Sequence, residues 1–151
     1  MSKAWGLLLS PVIVASLAGC YPQPRYDALS IRQAGEQLEI AICADVQADY
    51  VEAMQSKPDS DGSFRMFWTY EPSDPLASGN ILRTDADNSA DGGTTREILD
   101  IRPGVEIGVN VSMYAAEGGR ALLSSVFEVG ADGLSDTEWQ HSDGSVTAGA
   151  C

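Results

Sequence analysis

The chain has 151 residues, and its 22 acidic and 9 basic side chains give it a formal net charge of −13 at pH 7. This acidic excess argues against a nucleic-acid partner, because phosphates require a basic patch, and against a domain that lies flat on anionic lipid. The length suits one domain with a sizeable core.

The first nineteen residues have the features of an export signal. Lys3 gives the start a positive charge, and an apolar run from Ala4 to Ala18 follows it. A helix needs about 20 apolar residues to span the hydrocarbon core of a bilayer. The run is too short for that, and it is typical of a signal peptide.

The signal ends in Leu17-Ala18-Gly19-Cys20, which resembles the lipobox of bacterial lipoproteins. The resemblance covers only the first twenty residues. It implies cleavage after residue 19 and lipidation of Cys20, with palmitate-type acyl chains holding the protein to the membrane on the extracytoplasmic side. Two acyl chains suffice for stable anchoring. The alternatives are a plain cleaved signal with an incidental cysteine and an uncleaved anchor.

Residues 20–27 are predicted to be a short extended tether, because prolines disfavour helix, and residues 28–151 a single domain. Without residues 1–19 the chain loses one basic residue, Lys3, so that 22 acidic and 8 basic residues remain and the net charge is −14. Arginine outnumbers lysine seven to two, a bias typical of GC-rich bacteria such as actinobacteria. The lipid would lie on the outer face of the cytoplasmic membrane in a Gram-positive cell, while Tyr21 after Cys20 is compatible with transfer to the outer membrane in a Gram-negative one.

Two cysteines remain in the domain, Cys43 in an apolar run and Cys151 at the C-terminus. An exported protein meets oxidising conditions, and two thiols allow only one pairing. We therefore expect a Cys43–Cys151 disulfide. The alternative is a buried free thiol at Cys43 and an unpaired one at Cys151.

Alternating apolar and polar residues predict strands in the first half of the domain. The expected turns are at 34–36 and 58–62, where Gly, Asp and Ser occur. In the strand at 64–70 the alternation places Phe64, Met66, Trp68 and Tyr70 on one face and Arg65, Phe67 and Thr69 on the other. The predicted strands cover residues 29–32, 38–43, 49–57 (with a helical turn as the alternative), 64–70 and, as an edge strand, 80–83.

The second half has the same pattern, with predicted strands at 95–101, 105–113 and 122–129 and a hairpin turn at 117–120. About seven strands with no long helix predict an all-β fold, an immunoglobulin-like or fibronectin-like β-sandwich. A small β-barrel is the alternative, because strand number alone does not distinguish the two.

No set of residues predicts catalysis. The only histidine, His141, has Ser142 and Asp143 nearby, but adjacent side chains on a strand point apart. With one histidine and two bridged cysteines, a zinc site is not expected either. We expect no cofactor and no enzyme, with a small hydrolase as the least favoured alternative.

The segment from Asp85 to Asp91 carries closely spaced oxygen ligands of the kind that calcium prefers. Compared with the EF-hand pattern, Ser89 and Ala90 fill the third-ligand and glycine positions and Arg96 stands where the bidentate acid belongs. A solvated acidic loop is the favoured interpretation, and a shallow calcium site is the alternative.

Two aromatic residues, Phe67 and Tyr114, oppose the apolar rows of their strands and are candidates for an exposed binding surface. The sequence therefore predicts a membrane-anchored, non-catalytic module that binds a partner protein of the cell envelope. The alternative is a binder of wall saccharide or calcium.

Overall fold

The structure is a computed structural model that describes residues 28–57, 62–84, 93–95, 101–114 and 120–151. It contains ten strands in these ranges, more than the seven expected, because four of them have only two or three residues. The strands are β1 (Leu29–Ala34), β2 (Gln37–Ile42), β3 (Ala48–Ser56), β4 (Phe64–Tyr70), β5 (Ile81–Arg83), β6 (Gly93–Thr95), β7 (Glu106–Tyr114), β8 (Arg120–Glu128), β9 (Trp139–His141) and β10 (Val146–Thr147).

The strands form two antiparallel sheets, which confirms the predicted β-sandwich and not the barrel. The first sheet has the order β10-β9-β1-β2-β5 and the second the order β6-β4-β3-β7-β8. Within them β2 pairs with β5 and β3 pairs with β7. Strands B and E and strands C and F are neighbours in the same way in immunoglobulin-like folds.

Most of the predicted elements are confirmed. The segment at 49–57 is strand β3 and not a helical turn, and the edge strand expected at 80–83 is β5. The turn between β1 and β2 contains Gly35 at a φ of 66°, a conformation that two-residue hairpin loops require and that glycine adopts without strain. Of the strand expected at 95–101, Thr95 ends β6, Ile101 lies outside any strand, and the residues between them are outside the described ranges.

The core lies between the two sheets. Its largest fully buried side chains include Trp68, Phe67 and Phe127 from the second sheet and Leu29 and Ile31 from the first. Val51 and Ala53 of β3 face Val111 and Val109 of β7 in register, so the inward row is apolar across both strands. Burial of these rows is the main force that holds the sheets together.

The two ends of the sandwich differ. The backbone N–H of Cys43 donates to the carbonyl of Ala28 at 2.8 Å, and Cys43 is bonded to Cys151, so the start and the end of the domain meet where β2 ends. We call this the terminal end. Strand β3 starts near it and runs away from it, and Gln55 late in β3 pairs with Ile107. Glu106 and its partner Glu128 therefore lie at the opposite, distal end.

Candidate functional site

The expected disulfide is confirmed. Cys43 and Cys151 are bonded, with their Cα atoms 5.2 Å apart, a separation usual for a disulfide. The Ser30 hydroxyl donates to the carbonyl of Ala150 at 2.5 Å. The bond and this hydrogen bond fasten the last residues of the chain to the first sheet.

The outer face of the first sheet carries a row of side chains across four strands. Arg32 lies 4.5 Å from the centre of the Trp139 ring, and its Nε donates to Glu39 at 2.5 Å. Arg83 donates to the other carboxylate oxygen of Glu39 at 2.7 Å. Burial by itself raises the pKa of Glu39, but the hydrogen bonds from Arg32 and Arg83 outweigh it and hold this pKa below its usual value. Both acceptor oxygens of Glu39 are therefore used in a structural contact.

His141 lies in β9 and pairs with Ser30 of β1. Its Nε2 is 2.8 Å from the hydroxyl of Thr147, and that hydroxyl donates to the carbonyl of Gly149 at 2.7 Å. Because a threonine hydroxyl has one proton, the bond between the two side chains requires Nε2–H to be the donor. His141 therefore does not accept the proton of this hydroxyl, as a general base would.

The expectation that Phe67 is exposed is wrong. Only 1% of Phe67 is exposed, and it packs in the core with Trp68. The register of β4 against β3 shifts between Ala53 and Met54, so that Phe67 is an additional residue in β4. In such a bulge, two residues oppose one on the neighbouring strand and the alternation of faces is interrupted.

In the part of β4 that precedes the bulge, the faces are the reverse of those predicted. Met66 pairs with Met54, and Met54 pairs with Gly108. A Cβ atom on Gly108 would be 3.5 Å from Met54 Cε and 3.6 Å from Phe64 Cε1. Phe64 and Met66 are therefore on the outer face of the second sheet and not with Trp68, which corrects the face predicted for them.

The other candidates lie where the structure says nothing of them. The lipobox with Cys20 and the acidic segment from Asp85 to Asp91 are outside the described residues. Tyr114 ends β7, but the exposure of its side chain is not described. Lipidation and calcium binding therefore stay predictions, as does an exposed Tyr114.

The described residues form a cleft of about 910 Å³ along the β8 edge of the sandwich. Glu106, Val126 and Glu128 of the second sheet form one wall. Gln140 and Val146 of the β9–β10 hairpin form another, and the segment from Gly130 to Glu138 completes it. The side-chain amide of Gln140 donates to the carbonyl of Glu128 at 2.7 Å and joins two of these walls.

We call this surface the acidic cleft, because the described residues that line it include five carboxylates and no basic side chain. These residues are Glu106, Glu128, Asp132, Glu138 and Asp143. Hydrogen bonds from the side chain and the backbone N–H of Ser145 hold the pKa of Asp143 below its usual value, so that this carboxyl stays charged. The cleft is therefore a region of strongly negative potential.

Two of the carboxylates belong to residues that face each other directly. Glu106 pairs with Glu128 in the β7–β8 ladder. The N–H of Val129 donates to the carbonyl of Val105, so the next pair along the ladder, Glu106 with Glu128, is a non-hydrogen-bonded one with close side chains. Like charges directly opposite each other destabilise a sheet, and a cationic group bound between them would relieve the repulsion.

The cleft does not have the geometry of a metal site. Nowhere in the described ranges do three or more His, Cys, Asp or Glu side chains converge on one position where a metal ion could bind. The cleft is wide and half-open, so it can accept an extended chain segment or a group of charged side chains more readily than a single small ion.

The cleft was not predicted from the sequence. Its residues come from positions 106 to 146, and they meet only because the chain passes from the second sheet to the first between β8 and β9. The available signals were the acidic residues at the ends of β7 and β8 and the Gly/Asp turns after them, but these look like ordinary solvated turns.

Comparisons with models of protein families, with curated proteins and with solved structures found no match to this chain. The described residues include no helix with the length and apolar character to cross a membrane.

Proposed function

We propose that this chain is a lipid-anchored, non-catalytic binding module on the extracytoplasmic side of a bacterial membrane, and that its acidic cleft binds a basic segment of another envelope protein. The observation that carries the proposal is the set of five carboxylates in the cleft, with no basic side chain among the described residues that line it. The lipobox resemblance at 17–20 supports the anchor.

Charge and shape together favour a polypeptide over a small ligand. The cleft has an apolar side chain on each of two walls, Val126 and Val146, which are 47% and 50% exposed. Binding surfaces for proteins combine such apolar contacts with a polar rim. A segment in which lysine or arginine alternates with apolar residues would fit both features.

The direct test uses two variants of equal net charge. In the first, Asp132→Asn, Glu138→Gln and Asp143→Asn neutralise the cleft. In the second, Glu36→Gln, Glu71→Gln and Asp74→Asn neutralise three exposed acids outside it. The probes are a labelled decapeptide of alternating lysine and valine and its glutamate–valine counterpart, with binding to the purified chain measured by fluorescence anisotropy at two salt concentrations.

We expect the lysine peptide to bind, more weakly at high salt, and the glutamate peptide not to bind. The cleft variant should bind the lysine peptide at least tenfold more weakly than the control variant does. An equal loss in both variants would show that only net charge matters and would contradict the proposal. The natural partner is then sought by cross-linking in native membranes, where the same pair of variants distinguishes proteins that contact the cleft from those that do not.

The alternatives from the sequence gain no such support. Of the two aromatic residues expected to form a saccharide-binding surface, Phe67 is buried. A hydrolase would need His141 to serve as a base, and its Nε2 donates a hydrogen bond to Thr147.

A further inference from the structure

Strand β8 is the edge of the second sheet. It has nine residues and pairs with β7 along its whole length. Hydrogen-bonded and non-hydrogen-bonded pairs alternate along an antiparallel ladder, and the Val105–Val129 hydrogen bond sets the phase. The backbone N–H and C=O groups of Leu122, Ser124 and Val126 therefore point to the open edge, where no other described strand pairs with them.

Most of this edge lacks the usual protection against pairing with another chain; the exception is the carbonyl of Glu128, which accepts a hydrogen bond from Gln140. Natural edge strands are commonly short or carry proline or lysine, whereas β8 is long and has neither. The side chain of Leu122 is 61% exposed and that of Val126 is 47% exposed. An exposed apolar edge of this length is a template for a further strand.

The sequence of β8 is complementary to itself in one antiparallel register. If two β8 strands pair with Ser124 opposite Ser124, Leu122 lies opposite Val126 and Arg120 lies opposite Glu128. Apolar residues then face apolar ones, and opposite charges face each other at both ends. If one strand slides by two residues along the other, Leu122 lies opposite Ser124 or opposite Glu128. The pairing of apolar with apolar residues is then lost.

We propose that β8 pairs with β8 of a second copy of this chain, in the antiparallel register centred on Ser124. The two second sheets then form one continuous sheet of ten strands about a two-fold axis. A two-fold interface must be self-complementary, and the register above has this property. The pairing forms on the order of six backbone hydrogen bonds.

The inference goes beyond the proposed function and shares part of its surface. The acidic cleft runs along the β8 edge and is lined by Val126 and Glu128, so a second strand paired on this edge covers that wall and brings Arg120 to a negative surface. Asp132, Glu138 and Asp143 are not on β8 and stay outside the paired strands. Pairing of β8 and binding of a basic segment along the Val126 wall therefore compete with each other.

The test uses cysteine cross-linking of the full chain in membranes. On the two-fold axis, the two Ser124 residues form a hydrogen-bonded pair with Cα atoms about 5.5 Å apart, within the range of a disulfide. We expect Ser124→Cys to give a reductant-sensitive dimer on a non-reducing gel. Ser112→Cys, on β7 of the same face, is the control, because three strand spacings of about 4.8 Å separate the two Ser112 residues.

Charge reversal tests the register. In the Ser124→Cys background, Arg120→Glu or Glu128→Arg alone places like charges opposite each other at both ends. Either change should lower the ratio of dimer to monomer about tenfold. The combined variant restores opposite charges and should restore the dimer, which also shows that the single variants were not merely unfolded.

Several results would overturn the inference. These are a monomeric Ser124→Cys chain, equal cross-linking through Ser112→Cys, or no rescue in the combined variant. Cross-linking of Ser124→Cys to a different protein would show that the edge takes a foreign strand and that the second copy is the wrong occupant. Peptide binding to the cleft is measured by anisotropy and not by cross-linking, so failure of the dimer and failure of the proposed function can be distinguished.

Discussion

Removal of the Cys43–Cys151 bond should cost this domain a large part of its stability. The bond closes a loop with a sequence separation of 108 residues. In the chain-entropy treatment, a loop of this length contributes about 5 kcal/mol, by restricting the unfolded state. A domain of this size is usually stable by only about 5–15 kcal/mol. The variant with Cys43→Ala and Cys151→Ala should therefore be marginally folded at best.

The free energy of unfolding can be measured by urea unfolding, with the fluorescence of the buried residues Trp68 and Trp139 as the signal. We expect a loss of about 3–5 kcal/mol for the double variant, because measured disulfide contributions often fall below the entropic value. Each single variant breaks the same bond and should lose about as much as the double variant.

A loss below about 1 kcal/mol, or single-variant losses that simply add, would refute this reasoning. The first result would mean that the unfolded chain is already compact without the bond. The second would mean that each cysteine stabilises the fold by its own packing and not through the covalent link.

Three further predictions concern single residues. Glu39→Gln should lower the free energy of unfolding by about 1–2 kcal/mol at pH 7, less than for a fully buried pair, because the Arg83 side chain is 61% exposed and can be solvated. The pKa of Glu39 is lower in the folded state, so its contribution to stability is present above the unfolded value of about 4.5 and disappears as the pH falls through the folded pKa. The difference in urea midpoint between the two proteins should therefore shrink towards pH 3. A constant difference would contradict this. Phe67→Ala should cost about 3–5 kcal/mol, against less than about 0.5 kcal/mol for the control Ile81→Ala, whose side chain is 46% exposed. Equal costs in urea unfolding would mean that Phe67 is not in the core. Cys20→Ser should move the chain from the membrane fraction to the soluble one and abolish labelling by a clickable palmitate analogue, whereas unchanged labelling would contradict the lipobox assignment.

The sheet structure could be predicted from the sequence because burial of one face imposes a period of two. The rows of β7 and β3 follow this rule, as the inward Val109, Val111 and Val51 show. The alternation failed in β4, where the bulge brings both Phe67 and Trp68 to the core. A bulge depends on the pairing with the neighbouring strand, and pairing is not visible in the residues of one strand.

The outer face of the first sheet shows a second limit of prediction from the sequence. Glu39 alternates with Leu38 and Ile40, a pattern typical of a side chain that faces solvent, but it is only 1% exposed. Arg32 and Arg83 cover it from both neighbouring strands. Side chains 7 and 44 positions away in the sequence bring about this burial, so a local pattern could not predict it. The acidic cleft is the extreme case, since all its walls come from different segments.

If Cys20 is lipidated, as proposed, the position of Ala28 limits how far the cleft reaches from the membrane. Eight residues, from 20 to 27, span at most about 26–29 Å, and Ala28 is hydrogen-bonded to Cys43 at the terminal end. The nine residues of β3 add about 30 Å between the terminal and the distal end. The Glu106–Glu128 wall would then lie no farther than about 55–60 Å from the bilayer surface, and a partner that binds there would have to present its basic segment within that distance.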